Sequence, residues 1–344
     1  MKKLTTVDLF AGGGGLSLGF MGAGFEVLAA FENWHPAIAV YERNFPTHPV
    51  LSMDLGDVVT AAGRIAEFKP DVIVGGPPCQ DFSSAGKRDE SGGRADLTVA
   101  FAKIVELVQP QYFVMENVDR AAKSLAFAEA LNIFKAAGYG VTAKVLDASR
   151  CGAPQLRKRL FVVGGKEERD DFLSEPLDRF QRATSMTIRE YVGESLGVDH
   201  YYRHPRSYAR RAVFSIDEPS PTIRGVNRPV PMGYPGHPGD VVPIHSALRP
   251  LTTRERATIQ TFPENFHLVG SKTDVEQVIG NAVPVKLAQY VAERLRTHIA
   301  ARQINGDGSP LRQSSLFQPG PEASYASKPH VTDHSTLEVS RTRP

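Results

Sequence analysis

Short apolar runs alternate with helix-like segments through the first half of the chain. Seven runs have the length and composition of buried strands, at residues 4–10, 25–31, 50–53, 71–75, 111–116, 141–146 and 160–163. Between them, helical patterns lie near residues 15–22, 35–44, 57–68, 95–108 and 121–137. This alternation predicts an α/β fold with a doubly wound, mostly parallel seven-stranded sheet. Ligands of such sheets bind at the carboxyl ends of the strands.

The pattern changes near residue 166. Between residues 167 and 271 there are thirteen arginines and no lysine, and proline and glycine crowd residues 219–240. We therefore interpret residues 1–166 as a first domain and residues 167–270 as a smaller, loop-rich domain. Thr252 and Glu255 predict a capped helix start. Residues 271–300, with an amphipathic helix over 284–299, return to the first domain, and residues 301–344 form a disordered tail.

The composition narrows the chemistry without fixing it. The 344 residues carry a formal net charge of +2, which neither demands nor excludes a nucleic-acid partner. Two cysteines, Cys79 and Cys151, are too few for a disulfide framework or a Cys-rich zinc site, so no metal is expected. No apolar run approaches the roughly 20 residues that span a bilayer. We expect a cytoplasmic protein without membrane contact.

Residues 8–20 end a strand in a glycine run that opens a helix. Such a loop lets a ligand approach the backbone and offers it free N–H groups. Glu32, at the end of the next strand, suits a ribose diol. The acid at Asp8 fits a cofactor with an amino group better than it fits the pyrophosphate of a dinucleotide. A glycine-rich turn without a ligand is the other interpretation.

Cys79 follows a predicted buried strand on a loop stiffened by Pro77 and Pro78. A thiol held there, beside the polar Gln80 and Ser83, is placed for nucleophilic chemistry. The alternative is that the cysteine packs as a small apolar residue, as free cysteines often do.

Two further segments carry polar groups toward the same cleft. Glu116 ends a strand of apolar residues, where a buried acid is costly unless it has a partner; the less favoured alternative is a solvated acid at the strand end. Gln155, Arg157 and Arg159 alternate along an extended segment and so share a face, which suits phosphate or base oxygens or is merely a solvated basic surface. Residues 277–284 are interpreted as a turn before the last helix.

In this order, the motifs resemble the DNA (cytosine-5)-methyltransferase family of the bacterial restriction-modification type. The resemblance covers about residues 4–298 and rests on residues 8–20, 76–80, 116–118, 155–159, 249–255 and 277–284. It implies the S-adenosylmethionine-dependent methyltransferase fold. Residues 1–166 would then be the catalytic and cofactor-binding domain, and residues 167–270 the target-recognition domain.

The resemblance also implies a covalent mechanism. Cys79 would add as a thiolate to C6 of a flipped cytosine, while Glu116 holds or donates a proton at N3. C5 would take the methyl group of S-adenosylmethionine, leaving S-adenosylhomocysteine, before a base removes the C5 proton and Cys79 leaves. Arg159 would contact the cytosine O2, and Arg157 a phosphate or the surroundings of Cys79. Cys151 is expected to be a structural bystander.

By the same resemblance, Phe10 would lie on the adenine, Glu32 would bind the ribose and Asp54 the adenine amine. Asn33 stands where members often have an aromatic or apolar residue, a contact that Trp34 could replace. The complete predicted cofactor set is Phe10, Ala11, Gly12, Gly14, Gly15, Leu16, Glu32, Asn33, Asp54, Leu55, Pro77, Asn281 and Val283.

The arginine-rich region resembles the family's target-recognition domain, and this resemblance implies a sequence-specific contact with double-stranded DNA. Arginine without lysine suits bidentate recognition of guanine edges, and Thr222 matches a threonine of the family's recognition domain. The predicted DNA contacts are Gln80, Ser83, Gln155, Thr222, Arg224 and Arg228. A monomer paired functionally with a restriction endonuclease is expected.

Three alternatives stay open at this point. A close relative could methylate tRNA with the same motifs. A regulatory DNA-binding homologue would lack catalysis, against which the intact Cys79, Glu116 and Arg159 argue. A nucleotide-dependent oxidoreductase shares the fold class, but the Gly-Pro-Pro-Cys motif has no role in it.

Overall fold

The protein is described by a computed structural model over residues 3–78 and 96–305. Cys79, Gln80 and Ser83 lie outside the described residues, as does the predicted tail from residue 306 onward. The described residues belong to one compact unit, Met1–Gly308. The division into a catalytic and a recognition domain stays a prediction.

The elements follow the predicted alternation. The strands are β1 Thr5–Leu9, β2 Glu26–Glu32, β3 Val50–Ser52, β4 Val72–Gly75, β5 Tyr112–Val118, β6 Tyr139–Asp147, β7 Gln155–Leu156, β8 Lys158–Lys166, β9 His200–Tyr202, β10 Val213–Ser215 and β11 Ser220–Pro221. The helices are α1 Gly15–Gly22, α2 His35–Asn44, α3 Val58–Ala66, α4 Leu97–Val108, α5 Leu125–Ala136, α6 Ser174–Arg179, α7 Ile188–Val192, α8 Thr253–Ile259, α9 Lys272–Asn281 and α10 Val285–Asn305.

Seven strands form one sheet in the order β3-β2-β1-β4-β5-β8-β6. Neighbours from β3 to β5 pair in parallel, and β8 is antiparallel to both β5 and β6, so the predicted mostly parallel sheet is confirmed. Because β8 runs the other way, its first residues lie at the carboxyl edge of the parallel strands. Val118 pairs there with Arg159, which brings the arginine beside the end of β5.

Both faces of the sheet are covered, which explains why its central strands β4 and β5 are almost entirely buried. On one face, Val72 and Val74 of β4 pack with α1 and α10. On the other, Ile73 joins a cluster that includes α4 and α5. Helix α10 contacts α1 so closely that a Cβ on Gly19 would stand 2.4 Å from Ala288. Cys151 is buried in the first cluster, where burial raises the pKa of its thiol to about 12.

The predicted capped start of helix α8 is confirmed, whereas the turn predicted within helix α9 is wrong. Thr252 accepts the N–H of Glu255, and the Glu255 carboxylate accepts the N–H of Thr252, so the capping box exists. The turn predicted from residue 277 is wrong, because residues up to Asn281 belong to α9. The buried Val275, Val278 and Ile279 give the helical spacing that the glycine and proline of this segment concealed.

Candidate active site

Glu116 lies near the end of β5 and is buried. Its Oε1 is 2.8 Å from Nε of Arg159, which the antiparallel start of β8 carries to the same edge. Burial raises the pKa of the Glu116 carboxyl, and the positive charges of Arg159 and Arg157 oppose that rise without cancelling it. The pair therefore holds an acid that keeps its proton more readily than an exposed glutamate.

The acid contacts the segment that leads to Cys79. The Asn117 side-chain amide donates to the Pro77 carbonyl at 3.2 Å. A Cβ built on Gly76 would stand 3.1 Å from Oε2 of Glu116, so a larger residue at this position would crowd the carboxyl. The sequence analysis missed the contact between Asn117 and Pro77, because no local pattern joins residues of different strands.

Arg157 is only 2% exposed and serves the protein interior. Its Nη1 donates to the Ile223 carbonyl at 3.0 Å and its Nη2 to the Gly280 carbonyl at 3.1 Å. Burial lowers the pKa of its guanidinium to about 9, with a contribution from the charge of Arg159, so it remains protonated at neutral pH. The guanidinium holds two backbone segments together, and a direct phosphate contact is not available to it.

Gln155 is fully buried, which contradicts its prediction as a DNA contact. Its Oε1 accepts the Ile223 N–H at 2.8 Å, and its Nε2 donates to Oε1 of Gln260 at 2.8 Å. The predicted common face of Gln155, Arg157 and Arg159 thus turns inward, toward protein partners. Gln260, which sequence reasoning missed, in turn donates to the Ala282 carbonyl at 3.1 Å.

The glycine loop after β1 has the left-handed backbone that its composition suggests. Phe10, Gly12 and Gly14 have φ values of 56°, 53° and 84°. The Gly12 N–H donates to Oε2 of Glu32 at 2.8 Å, and Oε1 accepts the N–H groups of Asn33 and Trp34, each at 2.9 Å. A carboxylate has about four acceptor positions. Glu32 therefore orders the loop and retains about one position for a ligand.

The glycines of this loop divide into packing positions and an open one. A Cβ on Gly15 would stand 2.3 Å from the Val283 carbonyl oxygen, and one on Gly14 would meet the Phe45 ring. A Cβ on Gly12 would meet nothing within 4 Å. Gly12 thus faces free space at the edge where β1 and β2 end, as a cradle for a ligand requires.

The remaining predicted cofactor residues lie at the same edge or beside it. Most of them follow the ends of β1 to β4, because the carboxyl ends of parallel strands share one edge, whereas Leu16 lies in α1 and Asn281 and Val283 lie at and after the end of α9. Asn33, Asp54 and Asn281 are exposed, whereas Ala11, Leu16, Leu55, Pro77 and Val283 are buried. The arrangement fits a cofactor with polar groups along an apolar floor.

Asp8 carries a second buried carboxyl at this edge. Its Oδ2 accepts the Ser17 N–H at 3.1 Å and the Ser17 hydroxyl at 2.7 Å, and that hydroxyl is 2.7 Å from the Tyr41 hydroxyl. Burial raises the pKa of Asp8 to about 7, and the negative charge of Glu32 adds to the rise. Oδ1 has no hydrogen-bond partner among the described residues.

The predicted DNA contacts Thr222, Arg224 and Arg228 differ in whether their side chains already bind other parts of the protein. The Thr222 hydroxyl donates to the Leu156 carbonyl at 2.7 Å, and the Arg224 guanidinium donates to the His204 carbonyl. Arg228 is exposed. Within residues 3–78 and 96–305, no group of three His, Cys, Asp or Glu residues is arranged to hold a metal ion, and no helix is long and apolar enough to cross a membrane.

Known proteins with similar sequences and structures agree on one family. The family model of the C-5 cytosine-specific DNA methylase matches residues 4–297. The chain is 54% identical over 296 residues to the Type II methyltransferase M.HgiDI of Herpetosiphon aurantiacus, covering 86% of this chain and 95% of that protein. It is 53% identical over 307 residues to the Type II methyltransferase M.HindV of Haemophilus influenzae, covering 89% and 98%.

A solved structure extends the comparison to the fold. A crystal structure of a Spodoptera frugiperda DNMT2 mutant matches with a TM-score of 0.64 at 19% sequence identity, covering 86% of this chain and 100% of that chain. The sheet order and this likeness define the class of fold, an α/β fold built on a mostly parallel seven-stranded sheet. The chain belongs to the C-5 cytosine-specific DNA methylase family, in its bacterial restriction-modification type, and is a DNA (cytosine-5)-methyltransferase.

Proposed function

We propose that the protein transfers a methyl group from S-adenosylmethionine to C5 of a cytosine flipped out of a short, specific duplex sequence. The reaction runs through a covalent bond between Cys79 and C6. The observation that carries the proposal is the buried pair of Glu116 and Arg159, in contact with the segment that leads to Cys79. A raised pKa suits a carboxyl that must deliver a proton to a weakly basic ring nitrogen.

Cys79 and Glu116 act at the start and at the end of the cycle. The Cys79 thiolate attacks C6 as the Glu116 proton passes to N3, so that the electron pair of the C5–C6 double bond becomes available at C5. S-adenosylmethionine supplies the methyl group that C5 takes. A base then removes the C5 proton, the S–C6 bond breaks, the thiolate leaves and the N3 proton returns to Glu116. Cys79 and Glu116 end the cycle as they began it.

Arg159 has two tasks in this proposal. Its Nε holds the carboxyl of Glu116 and its Nη1 donates to the Lys158 carbonyl at 2.8 Å. Nη2 makes no hydrogen bond with a described residue, which leaves it for the O2 atom of the flipped cytosine. Arg157 and Gln155 act as positioning residues behind it.

The cofactor is held at the edge formed by the ends of β1 to β4. Gly12 offers the open backbone, Phe10 a ring for the adenine, and Glu32 its remaining acceptor position for a ribose hydroxyl. Asp54 would bind the adenine amine, and Asn281 and Val283 would border the methionine part. The other members of this set are Ala11, Gly14, Gly15, Leu16, Asn33, Leu55 and Pro77.

The methylated duplex is protected from a cognate restriction endonuclease, and the enzyme acts as a monomer, because a single chain covers one flipped base. Thr222, Arg224 and Arg228, together with Gln80 and Ser83, border the DNA.

Methyl transfer to defined nucleic acids tests this function. The purified protein is incubated with tritiated S-adenosylmethionine and either duplex DNA or tRNA, and Glu116→Gln serves as the matched inactive control. We expect label in cytosine of the DNA and none in the tRNA. Label in tRNA alone, or equal labelling by the Glu116→Gln variant, would contradict the proposal.

A further inference from the structure

A cleft lined by arginines opens beside Thr222. Its volume is about 420 Å³, and it is lined by Arg203, Arg206, Arg210, Arg211, Arg224 and Thr222, among others. Ligand sites commonly measure about 300–1,000 Å³. No acidic side chain lines this cleft, so it presents a concentrated positive potential.

Three of the five arginines are held by the protein. Arg203 Nη2 donates to the Thr222 carbonyl at 2.9 Å, and Arg224 donates to another backbone carbonyl. Arg211 pairs with Glu218 at 2.5 Å, and its guanidinium stacks over an aromatic ring at 4.3 Å. These three guanidinium groups form the wall of the cleft, and their donors are partly committed.

Arg206 and Arg210 differ from the wall in both exposure and partners. Both are exposed, and neither side chain makes a hydrogen bond or an ion pair with any residue in the described part of the chain. The pKa of the Arg224 guanidinium is lowered, first by the burial of Arg224 itself and then by the positive charges of Arg206 and Arg210. Like charges that face one another without an acid are unfavourable in the free protein, and an anionic ligand would relieve that repulsion.

The cleft is fixed relative to the catalytic acid. Ile223, next to Thr222, has its N–H held by Gln155 and its carbonyl held by Arg157. Arg157 in turn lies near Glu116 and Arg159, whose charges affect its pKa. The buried Gln155 and Arg157 therefore fix the position of a ligand in the cleft relative to Glu116.

We infer that Arg206 and Arg210 contact the target duplex, each donating paired N–H bonds to neighbouring acceptors on a guanine edge or on a phosphate. The inference rests on the proposed function and departs from the sequence-based choice of Arg224 and Arg228. Guanidinium forks match both the O6 and N7 atoms of guanine and the oxygens of a phosphate. Arg203, Arg211 and Arg224 build the cleft that positions the two forks.

The following experiment distinguishes a contact with a guanine edge from a contact with a phosphate. The target is first identified with the wild-type enzyme on a duplex pool of randomised sequence, by sequencing the methylated cytosines. Arg206→Ala, Arg210→Ala and the corresponding lysine variants are then compared on that target and on all its single-base changes. Arg169→Ala is the control, because Arg169 is exposed and lies just after β8, at the opposite edge of the sheet. Thermal unfolding checks that each variant is folded.

We expect kcat/KM on the target to fall about 5- to 150-fold in the alanine variants and to stay unchanged in Arg169→Ala. A guanine contact relaxes the preference at one base pair and is not rescued by lysine. If the contact is to a phosphate, the loss of arginine lowers kcat/KM by a similar factor on all sequences and reduces the salt dependence of binding by about one ion. Lysine then restores part of kcat/KM. Wild-type selectivity and rate in all four variants would overturn the inference. An inactive wild-type enzyme would instead overturn the proposed function.

Discussion

Asp8 and Glu116 are two buried carboxyls near the carboxyl ends of strands β1 and β5, at the same edge of the sheet. The groups that surround them differ. Asp8 is held by neutral donors, the N–H and hydroxyl of Ser17, whereas Glu116 is held by the charged guanidinium of Arg159. Burial raises the pKa of both. Only Glu116 has a cation that offsets the rise and a neighbouring segment that leads to a nucleophile.

The difference shows how one edge supplies two kinds of acid. Neutral donors stabilise a carboxyl without favouring its charge strongly, so Asp8 holds a proton near neutral pH and organises the helix start behind the glycine loop. A paired guanidinium lets Glu116 give up its proton and take it back within a catalytic cycle. The first carboxyl is structural, and the second is the general acid of our proposal.

Replacing the catalytic acid gives the largest expected effect. Glu116→Gln keeps the shape of the side chain and cannot deliver a proton in the same way, so kcat should fall about 100- to 10,000-fold. Single-turnover methyl transfer to the target duplex measures this. Cofactor affinity, measured by calorimetry, should stay within about threefold, because Glu116 lies at β5 and the cofactor edge ends at β4. A loss smaller than tenfold in kcat would contradict its role.

Removing the guanidinium of Arg159 should change the pH dependence of the reaction rate. In Arg159→Ala, Glu116 loses the charge that lowers its pKa, so the carboxyl stays protonated to higher pH. The wild-type rate should fall as pH rises through the pKa of this acid, and in the variant that fall should begin at a higher pH. We expect a rate about 10- to 100-fold lower at the optimum. A pH profile of kcat with an unshifted basic limb would count against the pairing.

Asp8 should affect stability rather than chemistry. Its pKa is raised in the folded state from 3.8 to about 7, so its contribution is complete below pH 3.8 and is lost as pH rises through 7. The free energy of unfolding should therefore drop by about 1–4 kcal/mol across that window in the wild type. Asp8→Asn should lack this drop in urea titrations at several pH values. Asp57→Asn, at the exposed start of α3, is the control and should retain it.

The smallest expected effect concerns the link between the acid strand and the nucleophile segment. Asn117→Ala removes the hydrogen bond to the Pro77 carbonyl and should cost about 1–2 kcal/mol of stability. Methyl transfer should slow by only a few fold, since Glu116 and Arg159 keep their contact. An effect as large as that of Glu116→Gln would show that Asn117 takes part in the chemistry itself.

The sequence predicted those parts of the molecule that depend on local pattern. Strands β1 to β5 were located because each contains a short, mostly apolar run, and the capping box of α8 because its two residues are three apart. The direction of Gln155 and Arg157 was wrong, because alternation alone does not say which face is buried. Their partners, Ile223 and Gly280, lie 66 to 123 positions away along the chain.

The trapping of a covalent adduct tests the central claim most directly. A target duplex with 5-fluorocytosine at the methylated position is incubated with the enzyme and S-adenosylmethionine, and the adduct is mapped by peptide mass spectrometry. Because the C5 fluorine cannot be removed as a proton can, the bond to C6 should persist. We predict a one-to-one adduct at Cys79 in the wild type and in Cys151→Ser, and none in Cys79→Ser. An adduct that persists in Cys79→Ser, or that maps to another residue, would contradict the account.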